Sequence, residues 1–132
     1  MQEHIRKLRE LTESLPPVPK LIKVAADNCY AEYETESGFT AAFKLVKEPE
    51  VAVAKAIFSP DTTVTWHIHD NSKEWLIVYA GSITVLLTDN TDRILKVGES
   101  ITLMAGEIHS IVSKKGARVI AITIPADETF PE

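Results

Sequence analysis

Two histidines one residue apart, His67 and His69, lie in the stretch WHIHDNSKEWLIVYAG, residues 66–81. Residues two apart in a β-strand point to the same face, so a strand here would direct both imidazoles to one side. The polar turn DNSK follows, and Glu74 opens the next apolar run. A carboxylate at the start of the second arm of a hairpin can fold back beside two histidines on the first arm. These residue types at this spacing predict a site for a metal ion.

A further histidine, His109, follows a glycine-containing turn at the head of the apolar run IHSIV. Three imidazoles and one carboxylate would hold a divalent cation and leave coordination positions open for a substrate oxygen, water or dioxygen. Imidazole suits iron, nickel and zinc, and a carboxylate keeps manganese and iron among the candidates. We therefore expect a divalent ion of Mn, Fe, Ni or Zn, with His67, His69, Glu74 and His109 as ligands. No other cofactor is indicated.

The same histidines have a simpler interpretation, which must be weighed against the metal site. A single histidine on a strand is more often a hydrogen-bonded or surface residue than a ligand. The combination of residue types favours ligation over this simpler interpretation. The chain has four histidines, and only His4, near the N-terminus, falls outside the pattern.

These residues resemble the two conserved motifs of the cupin superfamily. The first motif, G(X)5HXH(X)3–4E(X)6G, corresponds to residues 61–81, with Asp61 at the leading glycine. The second, G(X)5PXG(X)2H(X)3N, corresponds to residues 98–113, with Met104 at the proline and Ser113 at the asparagine. None of these departures removes a predicted ligand. Aspartate tolerates the left-handed backbone region better than most residues, so the first turn can form.

The resemblance implies an all-β fold, a double-stranded β-helix or jelly-roll barrel with the metal inside one end, and commonly a homodimer. It does not imply a reaction, because cupins include dioxygenases, decarboxylases, isomerases, lyases, sugar-sensing domains and storage proteins. The expected function is that of a metal-dependent enzyme, dioxygenase-, decarboxylase- or isomerase-like, acting on a small organic molecule in the barrel. The alternative is a non-catalytic module that binds a small ligand or uses the metal for stability.

The elements that must position the site are short runs rich in β-branched and aromatic residues. Turn residues separate them, which predicts antiparallel strands in a barrel or sandwich rather than a parallel sheet with crossover helices. The runs are GFTAAFKLV, VAVAKAIF, TVTWHIH, EWLIVYAGSITVLLT, RILKV, ESITLMA, IHSIVS and ARVIAITI.

A different pattern precedes these runs. Apolar residues at helical spacing predict a short helix over residues 3–15, which the prolines of PPVP end. This helix could cover one side of the domain or pack on a second subunit. The predicted divisions are 1–19 for the helix and proline-rich spacer, 20–126 for the barrel, and 127–132 for a polar tail.

Strand alternation also predicts side chains that share a face with the ligands. The candidate pocket-lining residues are Lys55, Thr65, Leu76, Val78, Ile111 and Ser113. Lys55 has two interpretations: a buried cation that binds an anionic substrate, or, as we favour, a side chain that reaches water from an edge strand. The absence of arginine near the motifs disfavours a phosphorylated sugar.

Composition restricts the other partners. The chain has 132 residues, a formal net charge of −5 and a single cysteine. The negative charge disfavours nucleic acid, and one cysteine excludes an intrachain disulfide. The N-terminus lacks the apolar run of a secretion signal, and no apolar stretch approaches the roughly 20 residues that cross a bilayer. We expect a cytoplasmic protein with a small-molecule partner, no nucleic-acid or membrane partner, and a homodimeric state.

Overall fold

Ten antiparallel β-strands form in residues 30–126, the part of the chain that the computed structural model describes. No helix occurs within this range, and none of its segments is a helix that could span a membrane. The strands are β1 (Tyr30–Glu32), β2 (Thr35–Ser37), β3 (Thr40–Glu48), β4 (Val51–Phe58), β5 (Thr62–His67), β6 (Lys73–Leu87), β7 (Asp92–Lys96), β8 (Ser100–Leu103), β9 (His109–Ser113) and β10 (Ala117–Ile124).

The all-β prediction is confirmed for this range, and the eight runs identified in the sequence correspond to β3 through β10. The two short strands β1 and β2 were not predicted. The expected helix over residues 3–15 and the polar tail lie outside the described residues. The divisions at residues 19 and 126 therefore stay predictions.

One long strand makes the sheet curl. The hydrogen-bonded order is β1-β3-β4-β10-β6-β9-β5-β2, and β7 and β8 also pair with β6. The first half of β6 pairs with β10 and β8, whereas its second half pairs with β9 and β7. Because β6 belongs to both halves, the sheet bends over itself into an open, barrel-like curl whose inner face is the core.

Small and branched side chains fill the inner face. Each fully buried Val, Leu or Ile stabilises the fold by roughly 1.5–3 kcal/mol, so this cluster is the main source of stability. The cluster contains Ala42, Ala54, Ala56, Phe58, Val64, Leu76, Val78, Ile83, Val85, Leu95, Leu103, Ile111, Ala117 and Val119.

Lys55 lies on the opposite face of the sheet from this core. Its neighbours Ala54 and Ala56 belong to the core cluster, and side chains alternate along a strand. The β4 strand is not an edge strand either, because it lies between β3 and β10. The Lys55 ammonium sits 5.9 Å from the centre of the Phe43 ring. Burial and, second, the nearby Arg118 charge lower the pKa of Lys55.

The aspartate in the first turn adopts the backbone expected of it. Asp61 has a φ of 56°, in the left-handed region. Its N–H donates to the Lys114 carbonyl at 3.0 Å, and its own carbonyl accepts from the Ser37 hydroxyl. The prediction that aspartate can replace glycine in this turn is confirmed.

Candidate metal centre

Three strands and one loop bring the predicted ligands together. His67 is the last residue of β5 and His109 the first of β9, and the two are register partners across the sheet. Glu74 is the second residue of β6. His69 lies beyond the end of β5, in the connection to β6. Alternation along one strand was expected to direct His67 and His69 to the same side. Because β5 ends at His67, alternation alone does not bring the two rings together.

A backbone hydrogen bond ties His69 to the turn before β9. The Gly106 N–H donates to the His69 carbonyl at 2.9 Å. Within the turn, the Glu107 N–H donates to the Met104 carbonyl at 3.1 Å. Gly106 has a φ of 82°, a backbone conformation that glycine adopts without strain. The two predicted motifs are thus physically joined at the site, although they are far apart in sequence.

The three imidazoles surround a common point. One ring nitrogen from each of His67, His69 and His109 lies within 4.8 Å of the other two, so this group could hold a metal ion. The ring centres of His67 and His109 are 4.2 Å apart, and those of His67 and His69 are 5.2 Å apart. The described residues contain this one group of three or more potential ligands.

Backbone carbonyls set the tautomers of two of the rings. Nδ1 of His67 lies 2.7 Å from the Thr65 carbonyl oxygen, and Nδ1 of His109 lies 3.1 Å from that of Glu107. A carbonyl can only accept, so each Nδ1 carries the proton and donates. Nε2 of each ring is then the atom with a free lone pair, as metal ligation requires.

The Glu74 carboxylate lies beside two of these nitrogens. One of its oxygens is 3.6 Å from Nε2 of His69, and the other is 3.6 Å from Nε2 of His109. Glu74 is 9% exposed and His109 only 1%. A buried carboxylate needs a positive charge or hydrogen bonds to offset its desolvation, and a cation between these groups would supply that charge.

The chemistry of the donor set fits a divalent ion. Nε2 of His109 is buried without a hydrogen-bond partner in the described part of the chain, which is unfavourable for a polar atom unless something binds it. Burial lowers the pKa of His67, and the nearby His109 and His69 lower it further, while the Thr65 carbonyl and Glu74 act in the opposite direction. His67 is therefore neutral at neutral pH, the state that can bind a metal.

An open cavity of about 1160 Å³ adjoins the histidines. His67 and His69 form part of its wall, whereas Glu74 and His109 are buried and are not among the described residues that line it. Aromatic and aliphatic side chains, including Tyr33, Trp66 and Ile68, contribute apolar surface. A small molecule in this cavity would have direct access to two of the three imidazoles.

The predicted pocket-lining residues take different positions. Thr65 lines the cavity, at the register shift between Val64 and His67. Leu76, Val78 and Ile111 belong to the core cluster instead. These and the remaining candidates are not among the described residues that line the cavity. Ser113 is buried, and its hydroxyl donates to the Ser82 carbonyl at 2.8 Å.

Two lysines that were not among the predicted site residues line the cavity. Lys44 and Lys47 of β3 are register partners of Ala54 and Ala52 on β4. Residues three apart in a regular strand face opposite sides, but a register shift between Lys44 and Val46 places both lysines on the inner face. No sequence signal marked this bulge, so alternation would have separated the two.

Solved structures share the architecture. An RmlC-like cupin from Shewanella frigidimarina superposes with a TM-score of 0.65 at 20% identity, over 81% of this chain and 94% of that chain. KdgF from Halomonas sp. gives a TM-score of 0.64 at 18% identity, over 79% and 95%. The EutQ protein of Clostridium difficile gives 0.66 at 21% identity, over 80% and 82%. Identities at this level show the fold alone, and no curated protein matches the sequence significantly.

A family model also matches the sequence directly. The model described as a cupin domain, Cupin_2, covers residues 54–125, more than half of the chain. The matched region runs from β4 to the end of β10 and contains all three clustered histidines. The resemblance identified from the two motifs is confirmed, as is the jelly-roll fold class that it implied: this chain belongs to the cupin domain family.

Proposed function

We propose that this protein is a metal-dependent enzyme that acts on a small organic molecule bound in the cavity beside its histidines. The observation that carries the proposal is the convergence of three imidazole nitrogens within 4.8 Å at the wall of an open cavity. Structural metal sites are usually closed by protein ligands, whereas catalytic sites keep positions open toward a substrate. The exposure of His67 and His69 to the cavity therefore favours catalysis over a purely structural role.

In this proposal His67, His69, His109 and Glu74 hold a divalent ion of Mn, Fe, Ni or Zn. When bound, such an ion would act as a Lewis acid or as a centre that binds dioxygen. The carbonyls of Thr65 and Glu107 keep Nδ1 of their histidines protonated and orient the rings. The side chains of Trp66 and Ile68 would exclude water from part of the cavity. The reaction class, dioxygenase-, decarboxylase- or isomerase-like, stays a prediction.

Metal analysis of untagged protein tests the binding half of the proposal. We expect about one metal ion per chain in the wild type and a large loss of metal in His67→Ala and His109→Ala. His4→Ala is the matched control, because His4 is the remaining histidine of the chain and lies outside both motifs. Equal metal content in all four proteins would refute the site.

Turnover assays test the catalytic half. Protein stripped with a chelator and reloaded with Mn, Fe, Ni or Zn should consume oxygen or convert a candidate organic substrate only when metal is present. If metal binds stoichiometrically, removing it unfolds the protein, and no compound in a broad panel is converted, the site is structural and the non-catalytic alternative is correct.

Two further expectations belong to this proposal. A homodimer, which the family resemblance implies, predicts a molar mass in light scattering of twice the 14.6 kDa of one chain. The outer surface of β6 and β10 offers an apolar face for it, where Trp75 pairs with Ile122 and Ile77 with Ile120. A mass of one chain at micromolar concentration would contradict this. Cytoplasmic location likewise stays a prediction.

A further inference from the structure

An extra residue in β5 decides which side chain lies opposite His109. The pairing of β5 with β9 is regular up to Val64 and Ile111. The next pair is His67 with His109, so two residues of β5 lie opposite one residue of β9, Ser110. This arrangement of two residues against one is a β-bulge, and it lies directly beside the candidate metal centre.

The bulge turns the His67 imidazole toward the site. Val64 belongs to the core on the inner face, and residues three apart in a regular strand face opposite sides. Without the extra residue, His67 would therefore face away from His109, and Trp66 would be the register partner of His109. With it, His67 and His109 are direct partners, which share a face in an antiparallel pair. The bulge thus supplies one of the three clustered imidazoles.

Hydrogen bonds from three parts of the chain hold the bulged backbone. The buried Ser110 hydroxyl donates to the Val64 carbonyl at 2.7 Å. The Thr65 N–H donates to the Glu34 carbonyl at 3.2 Å, and the Thr65 carbonyl accepts from Nδ1 of His67 at 2.7 Å. A bulge disrupts the regular ladder of backbone hydrogen bonds, so its polar groups need partners of this kind.

The position of Ser110 makes its hydroxyl a rigid donor. Ser110 lies within β9, which is bonded to β5 on one side and to β6 on the other. Its exposed fraction is 1%, so water does not compete for the hydroxyl. The residue before it is His109. One strand therefore presents one candidate ligand directly and contacts the backbone that carries another.

We propose that Ser110 is a positioning residue of the candidate metal centre, and that its hydroxyl holds the β5 bulge that directs Nε2 of His67 toward the other two imidazoles. The inference rests on the proposed function for the presence of an ion, whereas the bulge and its hydrogen bonds are observed independently. Without the hydroxyl, the peptide between Val64 and Thr65 can rotate and move the Thr65 carbonyl away from Nδ1 of His67. The His67 ring then loses its fixed tautomer and orientation, while His109 keeps its own.

Two measurements on Ser110→Ala test the inference. In metal-free protein at about pH 8, where ordinary imidazoles are neutral, the NMR shifts of the ring nitrogens distinguish the two tautomers of each histidine. We expect His67 to carry its proton on Nδ1 in the wild type and to populate both tautomers in the variant, with His109 unchanged. Zn²⁺ affinity, measured by competition with a chelator, should fall about tenfold, as is usual when a residue that orients a ligand is replaced.

Ser113→Ala is the matched control. Ser113 lies on the same strand, is also 1% exposed, and its hydroxyl donates to the Ser82 carbonyl at 2.8 Å. Its register partner is Thr62, in the regular part of β5. Urea denaturation should show similar losses of stability in the two variants, whereas the His67 tautomer and the Zn²⁺ affinity should change in Ser110→Ala alone. Ser110→Cys leaves no cavity and offers only a weak donor, so it should change both measurements in the same direction as Ser110→Ala.

The outcomes separate this inference from the proposed function. A His67 tautomer or a Zn²⁺ affinity that stays at the wild-type value in both Ser110 variants would overturn the positioning role, and so would equal changes in Ser113→Ala. Failure of the wild type to bind Zn²⁺ or any other divalent ion would refute the proposed function. Loss of the fixed His67 tautomer in metal-free Ser110→Ala would still support the role of the hydroxyl in holding the ring.

Discussion

His67 and His109 use the same local device to present a nitrogen to the site. In each case Nδ1 donates to the backbone carbonyl two residues earlier, that of Thr65 or of Glu107. The ring is thereby oriented by its own segment of chain and does not depend on a distant side chain. Preorganised ligands of this kind lose little conformational freedom when a cation binds.

Glu74 can be tested by a substitution that preserves its shape. Glu74→Gln removes the negative charge between His69 and His109 but keeps the side-chain volume. If Glu74 is a ligand or directly supports one, metal affinity should fall by at least about tenfold, as measured by competition with a chelator. Glu34→Gln is the control, because Glu34 lines the cavity as an exposed residue. An equal loss in both variants would indicate a general charge effect rather than a role for Glu74.

Metal retention should depend on pH in the direction set by the imidazoles. Protons compete with the metal for Nε2, so acidification should release the ion. Burial lowers the pKa of His67 below the ordinary 6.5, so its neutral form persists to lower pH than in an unfolded chain.

The same pKa shift determines how the contribution of His67 to folding stability changes with pH. Because the unfolded chain binds a proton first, the contribution of His67 to stability is fully present above pH 6.5 and is lost as pH falls through the lower pKa of the folded state. Metal content after dialysis at stepped pH, together with NMR titration of the His67 ring in metal-free protein, checks both points. A His67 pKa at or above 6.5 would contradict the prediction.

Among the strands of residues 30–126, β6 pairs with the largest number of other strands. It contributes Glu74 near its start, pairs with four other strands, and passes from one half of the curl to the other at Gly81. Gly81 has a φ of 69° and faces Ala117 at close range across the ladder. A β-carbon there would overlap the Gly116 carbonyl oxygen and approach the Ala117 Cα to 2.9 Å.

Two glycine substitutions separate crowding from backbone strain. Gly81→Ala should lower the free energy of unfolding by at least about 3 kcal/mol, because the clash is with backbone that cannot move aside easily. Gly98→Ala is the matched control, since Gly98 also has a positive φ, 87°, but nothing lies within 4 Å of an added β-carbon. It should cost only about 1–2 kcal/mol. Equal losses in urea denaturation would show that crowding at Gly81 is unimportant.

For the whole molecule, the position of the candidate site would couple any metal binding to folding. The candidate ligands His67, Glu74 and His109 lie on strands β5, β6 and β9, so the candidate site exists only when the curl has formed. A cation that binds the folded state alone stabilises it by about 2.7 kcal/mol at a hundredfold excess over its Kd.

Metal removal should therefore lower the melting temperature. For a domain of this size that free energy corresponds to a change in Tm on the order of 10 °C. Differential scanning calorimetry with and without chelator measures it, and His109→Ala should melt at the same temperature in both conditions. A wild-type Tm that is insensitive to the chelator would show that the clustered histidines do not bind metal in solution.

The sequence was sufficient to predict the family and the all-β class of residues 30–126. It also predicted which residues meet at the candidate centre. These features depend on local patterns: His67 and His69 one residue apart, Glu74 after a short turn, and apolar runs separated by turn residues. Such patterns survive in the sequence because strand periodicity and turn chemistry are properties of neighbouring residues.

Tertiary structure decided which surfaces surround the centre. The bulge in β3 places Lys44 and Lys47 on one face of the sheet. The core packs on the face of β4 that carries Ala54 and Ala56, which leaves Lys55 on the other face, and the hydrogen bond from the Gly106 N–H holds the His69 backbone at the turn before β9. Each of these depends on register and hydrogen bonds between segments distant in sequence. A shift of one residue reverses the face of every side chain that follows, and the local sequence contains no mark of it.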